Sequence, residues 1–185
     1  MIAGNTVIST AQSKYGGSSV YFDGTGDYLY PSPSSLFTIY NTNFTIEGWF
    51  NCTAVPTYNC IFNMGDRNGG SLGLWIDASS TLLFWYNGLG LNASAVISLN
   101  AWHYFSYVKS GSTIYCYLDG ALLASTTNSF SQPNNNLTIG GAVNGITWDA
   151  NYNLNGYIYD FRFTKGIARY TGSTMTVPTA PLPIG

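Results

Sequence analysis

Short runs rich in aromatic and β-branched residues recur along the whole chain, each bounded by Gly, Asn, Asp, Ser or Pro. Apolar residues at the three-and-four spacing of a helix hardly occur. Phe44–Phe50, Ser71–Asp77, Leu82–Tyr86, Tyr104–Val108, Thr113–Leu118, Leu137–Ile139 and Gly156–Thr164 read as strands. Asp119-Gly120, between Thr113–Leu118 and Ala121–Ser125, is the dipeptide of a two-residue type I′ hairpin, and Asn87-Gly88 and Lys109-Ser110-Gly111 mark two more turns. Many short strands without intervening helices close a core as two packed sheets or a barrel. The pattern predicts an all-β fold, a two-sheet antiparallel jelly-roll sandwich.

Alternation along Thr113–Leu118 puts Ile114, Cys116 and Leu118 on one side and Tyr115 and Tyr117 on the other. Neither side is strongly hydrophilic, so part of the outer surface is expected to be covered by loops or by a partner chain. Residues 1–17 show little periodicity and read as an N-terminal arm or edge strand; residues 18–170 carry the jelly-roll domain. In 171–185 the spacing of Pro178, Pro181 and Pro183 forbids a regular ladder and predicts an extended tail that drapes over the domain or joins it to something.

Charged residues make up 8 % of the 185 residues, against roughly 25 % in ordinary soluble domains, and the net charge is −2. The six scattered Lys and Arg form no stripe that could neutralise phosphates, which sets nucleic acid aside. No apolar run approaches the ~20 residues that span a bilayer, and the first residues lack the layout of a signal peptide; neither a transmembrane segment nor membrane insertion is expected. The 45 % hydrophobic content places the chain far from disorder. Three cysteines, Cys52, Cys60 and Cys116, form neither a disulfide framework nor a thiolate zinc site. Reduced packing thiols and a Cys52–Cys60 bridge across a hairpin are both open. The sequons at Asn43, Asn51, Asn92 and Asn136 would permit glycosylation in a secretory host.

Five segments in order carry a resemblance: Val20-Tyr21-Phe22-Asp23-Gly24 with Asp27-Tyr28-Leu29; Phe44-Thr45-Ile46-Glu47-Gly48-Trp49; Ala101-Trp102-His103-Tyr104; Tyr117-Leu118-Asp119-Gly120; and Asn155-Gly156-Tyr157-Ile158-Tyr159-Asp160-Phe161-Arg162. Together they resemble the laminin G-like branch of the concanavalin A-like lectin/glucanase superfamily, over roughly residues 18–165. Asp160-Phe161-Arg162-Phe163-Thr164-Lys165-Gly166-Ile167-Ala168-Arg169-Tyr170-Thr171, with Pro178-Thr179-Ala180-Pro181, looks like the close of such domains in structural proteins of tailed bacteriophages. Gln12–Ser19 is similar to their lead-in. That superfamily holds lectins, glycosidases, adhesion modules and virion parts, so the fold does not by itself give the function.

The glucanases of the superfamily carry E-x-D-x-E or E-x-D-x-x-E on one strand, because glycoside hydrolysis uses two carboxyl groups. Here Glu47, the sole glutamate, is followed by Gly48, Trp49, Phe50 and Asn51, so the expectation is a protein that is not an enzyme, with no catalytic residues. Glu47 instead is expected to orient backbone groups or Tyr hydroxyls. His103, the only histidine, has no G-x-S-x-G nucleophile signal beside it and reads as a packed, hydrogen-bonded residue.

Ca²⁺ takes six to eight oxygens, and two segments offer Asp with Asn two residues on. These are Asp66 and Asn68, and Asp149 and Asn151, with the 147–153 segment read as a loop. The resemblance to pentraxins implies that two such loops share a Ca²⁺ ion, whereas Arg67 beside Asp66, or two plain Asx turns, are the alternative. Sugar recognition needs aromatic platforms and neutral polar groups, for which Trp75, Trp85, Trp148 and Tyr152 are the candidates; Trp49 and Trp102 read as core.

The resulting expectation is a virion accessory or adhesion protein on the surface of a tailed phage particle, homo-oligomeric, with other virion proteins or a host-surface glycan as partners. A purely structural decoration, cement or tail-assembly protein is the alternative, and a cellular lectin-like or glycosidase-derived module a further one.

Overall fold

The structure, a computed structural model, describes residues 1–39, 41–66, 71–86, 89–127, 136–144 and 147–183. The described strands are β1 (Ile2–Ala3), β2 (Val7–Ser9), β3 (Ser19–Asp23), β4 (Tyr28–Leu29), β5 (Phe44–Cys52), β6 (Tyr58–Met64), β7 (Leu72–Asp77) and β8 (Thr81–Tyr86). They continue with β9 (Leu89–Val96), β10 (His103–Ser110), β11 (Thr113–Leu118), β12 (Ala121–Thr127), β13 (Leu137–Ile139), β14 (Gly141–Asn144), β15 (Thr147–Asn153) and β16 (Asn155–Lys165). One sheet runs β12-β11-β10-β5-β16-β3-β2; the other runs β1-β4-β13-β6-β7-β8-β9, with the β14–β15 ribbon attached to β6. The expected two-sheet antiparallel sandwich is observed.

The inner faces supply the core. Phe44, Phe50, Phe105 and Tyr107 from the first sheet meet Phe62, Leu74, Phe84 and Leu137 from the second, all essentially inaccessible to solvent. Ile114, Cys116 and Leu118 join this core, while Tyr115 and Tyr117 pack in a second cluster on the outer face, as the alternation predicts. Asp119-Gly120 turns the β11–β12 hairpin with φ of +48° and +90°, the left-handed values of a type I′ turn. Gly111 likewise has a positive φ at the β10–β11 turn. The Asn87-Gly88 turn lies outside the described residues.

Cys52 faces the central core and Cys60 the outer face of the other sheet, so the open bridge is not made; all three cysteines are free and buried. Burial pushes the Cys52 thiol up to about 12. The sequence pattern leaves β3, β4, β6, β9, β14 and β15 unassigned, and β15 replaces the loop expected over 147–153. Its residues Thr147-Trp148-Asp149-Ala150-Asn151-Tyr152-Asn153 are poor strand formers apart from Thr147 and the aromatics; pairing with β14 and a single parallel bridge to β6 override that preference.

β2 is the edge of the first sheet and pairs with β3, so part of the N-terminal segment enters the sandwich. The C-terminal segment drapes over the domain. Met175 N–H donates to Gly120 O at 2.8 Å and Leu122 N–H to Ser173 O at 3.2 Å. Tyr117 Oη donates to Gly172 O at 2.7 Å, and the Tyr15 hydroxyl to the Pro178 carbonyl. This strap covers the outer face of the first sheet, which is why β5 is buried along its whole length.

Candidate functional site

Under the strap lies Glu47, 0 % exposed, at the centre of the first sheet. Register places it between Ser106 on β10 and Arg162 on β16. Its Oε1 accepts from Arg162 Nε at 2.9 Å and Nη2 at 2.7 Å, with Arg169 Nε at 3.4 Å. Its Oε2 accepts from Tyr104 Oη at 2.7 Å and Tyr170 Oη at 2.9 Å. Burial, with the carboxylate beside it, pushes the Tyr170 hydroxyl up to about 12 and the Tyr104 hydroxyl well above its ordinary range. Arg162 reaches Glu47 past a β-bulge after Tyr159, where Asp160 adopts φ +58°. The expected orientation of Tyr hydroxyls by Glu47 is what the geometry shows, and both arginines and Tyr170 come from the closing motif. Trp49 is buried in the same cluster, while Trp102 packs against it half-buried.

The outer face of the second sheet is different. Trp75 (β7) pairs in register with Cys60 (β6) and Leu83 (β8), and Gly73 pairs with Asn63 and Trp85. Tyr152 on β15 comes alongside through its bridge to Tyr58. The rings form one continuous array. Tyr58 and Tyr152 stack at 4.8 Å, Tyr152 meets Trp75 edge-on at 5.2 Å, and Trp75 lies 4.9 Å from Trp85. Three of the four sequence candidates are thereby brought together, although Trp75 is only 2 % exposed and forms the floor. Trp85 and Tyr152 are half-buried and Tyr58 is exposed, so these offer the accessible faces. Trp148 sits apart, stacked on Tyr28 at 4.2 Å and covering Gly141, where a Cβ would lie 1.7 Å from its ring. Sequence reasoning missed Tyr58, whose strand β6 it left unassigned.

The shared cation site is not assembled. Tyr152 pairs with Tyr58 in parallel register, which carries Asp149 beyond the start of β6, whereas Asp66 follows its end. The strand from Tyr58 to Asp66 alone spans about 25 Å at ~3.3 Å per residue, so one ion cannot touch both segments. Asn68 lies outside the described residues. Asp149 Oδ1 accepts from Asn151 N at 3.1 Å and from its Nδ2 at 3.2 Å, the Asx arrangement given as the alternative. Among the described residues no group of three or more His, Cys, Asp or Glu side chains comes together.

His103 Nδ1 is 2.7 Å from Asp119 Oδ2, and its Nε2 is 3.1 Å from both Oγ and the carbonyl O of Ser98. A protonated ring donates from Nδ1 to Asp119 and from Nε2 to the Ser98 carbonyl, whereas a neutral ring with its proton on Nδ1 accepts at Nε2 from the Ser98 hydroxyl. The hydrogen bond to Asp119 is the main reason its pKa is raised. Asp119 Oδ1 also accepts from Tyr104 N–H at 2.8 Å, so this trio ties the β11–β12 turn to the start of β10.

The two-sheet sandwich with its five ordered motifs defines a lectin-type jelly roll. The chain belongs to the concanavalin A-like lectin/glucanases superfamily, matching the Laminin_G_3 family over residues 23–167. No curated protein matches it in sequence. Among solved structures it is similar to domain 4 of AbnA, a GH43 extracellular arabinanase from Geobacillus stearothermophilus, in complex with arabinotriose. That likeness has a TM-score of 0.65 and 16 % identity, covering 89 % of this chain and 77 % of that one. It is also similar to the CBM40 of the Ruminococcus gnavus IT-sialidase, at TM-score 0.59 and 13 % identity, covering 86 % of this chain and 90 % of the other. A third likeness is to the mouse laminin α1 chain, domains LG4-5, with TM-score 0.63, 16 % identity and coverage of 84 % and 44 %. At these identities the likeness shows the fold. Among the described residues no helix is long and apolar enough to cross a membrane.

Proposed function

We propose that this is a non-catalytic glycan-binding protein, an adhesion or accessory part on the surface of a tailed-phage particle, and that it grips its ligand with the outer face of the β6–β7–β8 sheet. The observation that carries the reading is the continuous Tyr58–Tyr152–Trp75–Trp85 array. Aromatic faces of that kind, flanked by uncharged polar groups, suit the C–H faces and hydroxyls of sugars. Carbohydrate-associated modules among the similar structures support the same reading. The non-catalytic part rests on Glu47, whose carboxylate is engaged by Arg162, Tyr104 and Tyr170 and is closed off from solvent. The phage context rests on the closing motif and the lead-in, and high copy number on a particle would turn weak single-site affinity into avidity.

The purely structural reading has one observation of its own. Met1 and, on the N-terminal strands, Ile2, Val7 and Ile8 are exposed, and Ile8 is 70 % accessible on an edge strand. This is a surface that a homo-oligomer or a neighbouring virion protein would cover.

A glycan array probed with the whole protein, once with Ca²⁺ and once with chelator, tests the function. Binding in both arms is the expected result. Binding lost in chelator would restore a cation to the site, and silence in both arms from folded protein would leave the assembly role.

A further inference from the structure

The core of the sandwich is closed on one side and open on the other. On the closed side the edge strands β9 and β12 come together and bring the two sheets into contact. On the open side the edges are β1 and β2, joined by the corner at residues 4–6, which passes from one sheet to the other. Asn5 fixes that corner: its N–H donates to Asp27 Oδ1 at 2.8 Å and its Nδ2 to Asp23 Oδ2 at 3.0 Å.

Register shows what the two open edges carry. Paired residues of neighbouring strands share a face, so Ile8, Val20, Ile158 and Phe50 form one row across β2, β3, β16 and β5. Ile2, Leu29, Ile139 and Phe62 form another across β1, β4, β13 and β6. Both rows belong to the inner faces, because Val20, Ile158 and Phe50, like Leu29, Ile139 and Phe62, pack in the central core. Yet each row ends in an accessible isoleucine, Ile8 at 70 % exposure and Ile2 at 68 %. Isoleucine on an inner row is a core side chain, so the core pattern here runs on past the last strand of the chain.

What continues it is a strand, since an edge strand presents unpaired N–H and C=O groups. Of the devices that block such pairing, β2 has only shortness: residues 1–13 hold no Lys, Arg, Asp, Glu or Pro, and the β2–β3 ladder has no bulge. Two copies of an edge without charged side chains meet without opposing like charges. The register also closes on itself. A two-fold axis at Ile8 sets that residue opposite its counterpart and Val7 opposite Ser9, keeps inner rows inner in both copies, and brings both β1 edges to the same seam.

Resting on the assembly reading given above, we infer that the protein pairs with a second copy of itself, β2 antiparallel to β2 about a two-fold axis at Ile8. The seven-stranded sheet becomes continuous across the two copies, and Ile2 and Ile8 of each close the open side of the core.

The test is sedimentation velocity of the whole protein over a range of concentrations, with Ile8→Lys, Ile8→Cys and Ile167→Lys beside the wild type and thermal melts of each. Ile167 is 52 % exposed beyond the end of β16 and serves as the control. The expected result is a wild-type dimer with Kd on the order of micromolar, weakened about tenfold or more in Ile8→Lys, which opposes two ammonium groups, and unchanged in Ile167→Lys. Ile8→Cys should cross-link into a disulfide dimer on mild oxidation. Directly opposed residues of an antiparallel pair have Cα atoms about 4.5–5.5 Å apart, within disulfide reach, and the three native cysteines are buried. Wild type that stays monomeric throughout would overturn the self-pairing and leave the edge to a neighbouring virion protein. Ile8→Cys that does not cross-link would overturn the register at Ile8. A dimer that Ile8→Lys leaves intact would overturn both the pairing and the N-terminal edge as an assembly surface.

Discussion

Both sheets of the sandwich carry an aromatic outer face, but one is covered by the chain's own C-terminal segment and the other keeps accessible rings. On the first sheet, Glu47 is satisfied by donors from β10, from β16 and from the closing segment, and the strap of residues 172–178 lies across Tyr117. On the second, the rings stack just as closely, yet four polar atoms beneath them have no partner. Covering a face does not pair every polar atom on it, since Trp49 Nε1, Asn51 Oδ1 and Ser106 Oγ are left without a partner on the first sheet as well. What separates the two faces is access, because Trp85 and Tyr152 stay half-buried and Tyr58 exposed while Trp49 and Tyr104 are buried under the strap.

The contrast is most sharply broken at Glu47. Glu47→Ala leaves Arg162 and Arg169 clustered without their carboxylate and is expected to cost about 3–5 kcal/mol in chemical denaturation, with sugar binding unaffected in whatever fraction stays folded. Ending the chain before Gly172 comes next. It uncovers the cluster that Met175 and Val177 close, at about 2–4 kcal/mol by the same measurement, and should bring self-association visible in sedimentation. On the other face the effect is smaller: Trp75→Phe removes an N–H whose neighbour is the weakly accepting Cys60 sulfur and should shift stability by no more than about 1 kcal/mol in chemical denaturation. A large loss there would mean that the second face is as self-contained as the first.

The smallest effect belongs to His103. Its folded pKa is raised above the unfolded value of about 6.5, so its contribution is complete below that pH and is lost as pH rises through the folded value. Melts of wild type and His103→Gln at pH 5.5 and 8.5 should show a gap that narrows at the higher pH; a gap that widens would mean that Asp119 does not favour the charged ring.

Much of the fold was legible because its strands announce themselves twice, by composition and by the glycine and asparagine turns that end them. Thr113–Leu118 with Asp119-Gly120 is the clearest case, down to which residues face the core. β15 was not legible, since its Asn and Asp residues favour turns and only tertiary pairing makes them a strand. The same misreading led to the shared cation site: a loop can be swung toward Asp66, whereas a strand bridged to Tyr58 in parallel cannot. Trp75, Trp85 and Tyr152 could be listed as ring residues from sequence, but their assembly depends on registers across three strand pairs.

The buried ion cluster bears on the surroundings in which such a protein can work. The charge that matters most to the fold, the Glu47 carboxylate, is closed off from solvent behind partly buried arginines, and the rest of the surface is nearly uncharged, so there is little for dissolved salt to screen. Folding and adhesion should therefore hold nearly constant from dilute to strongly saline water, an independence of ionic strength that a conventionally charged surface would not have.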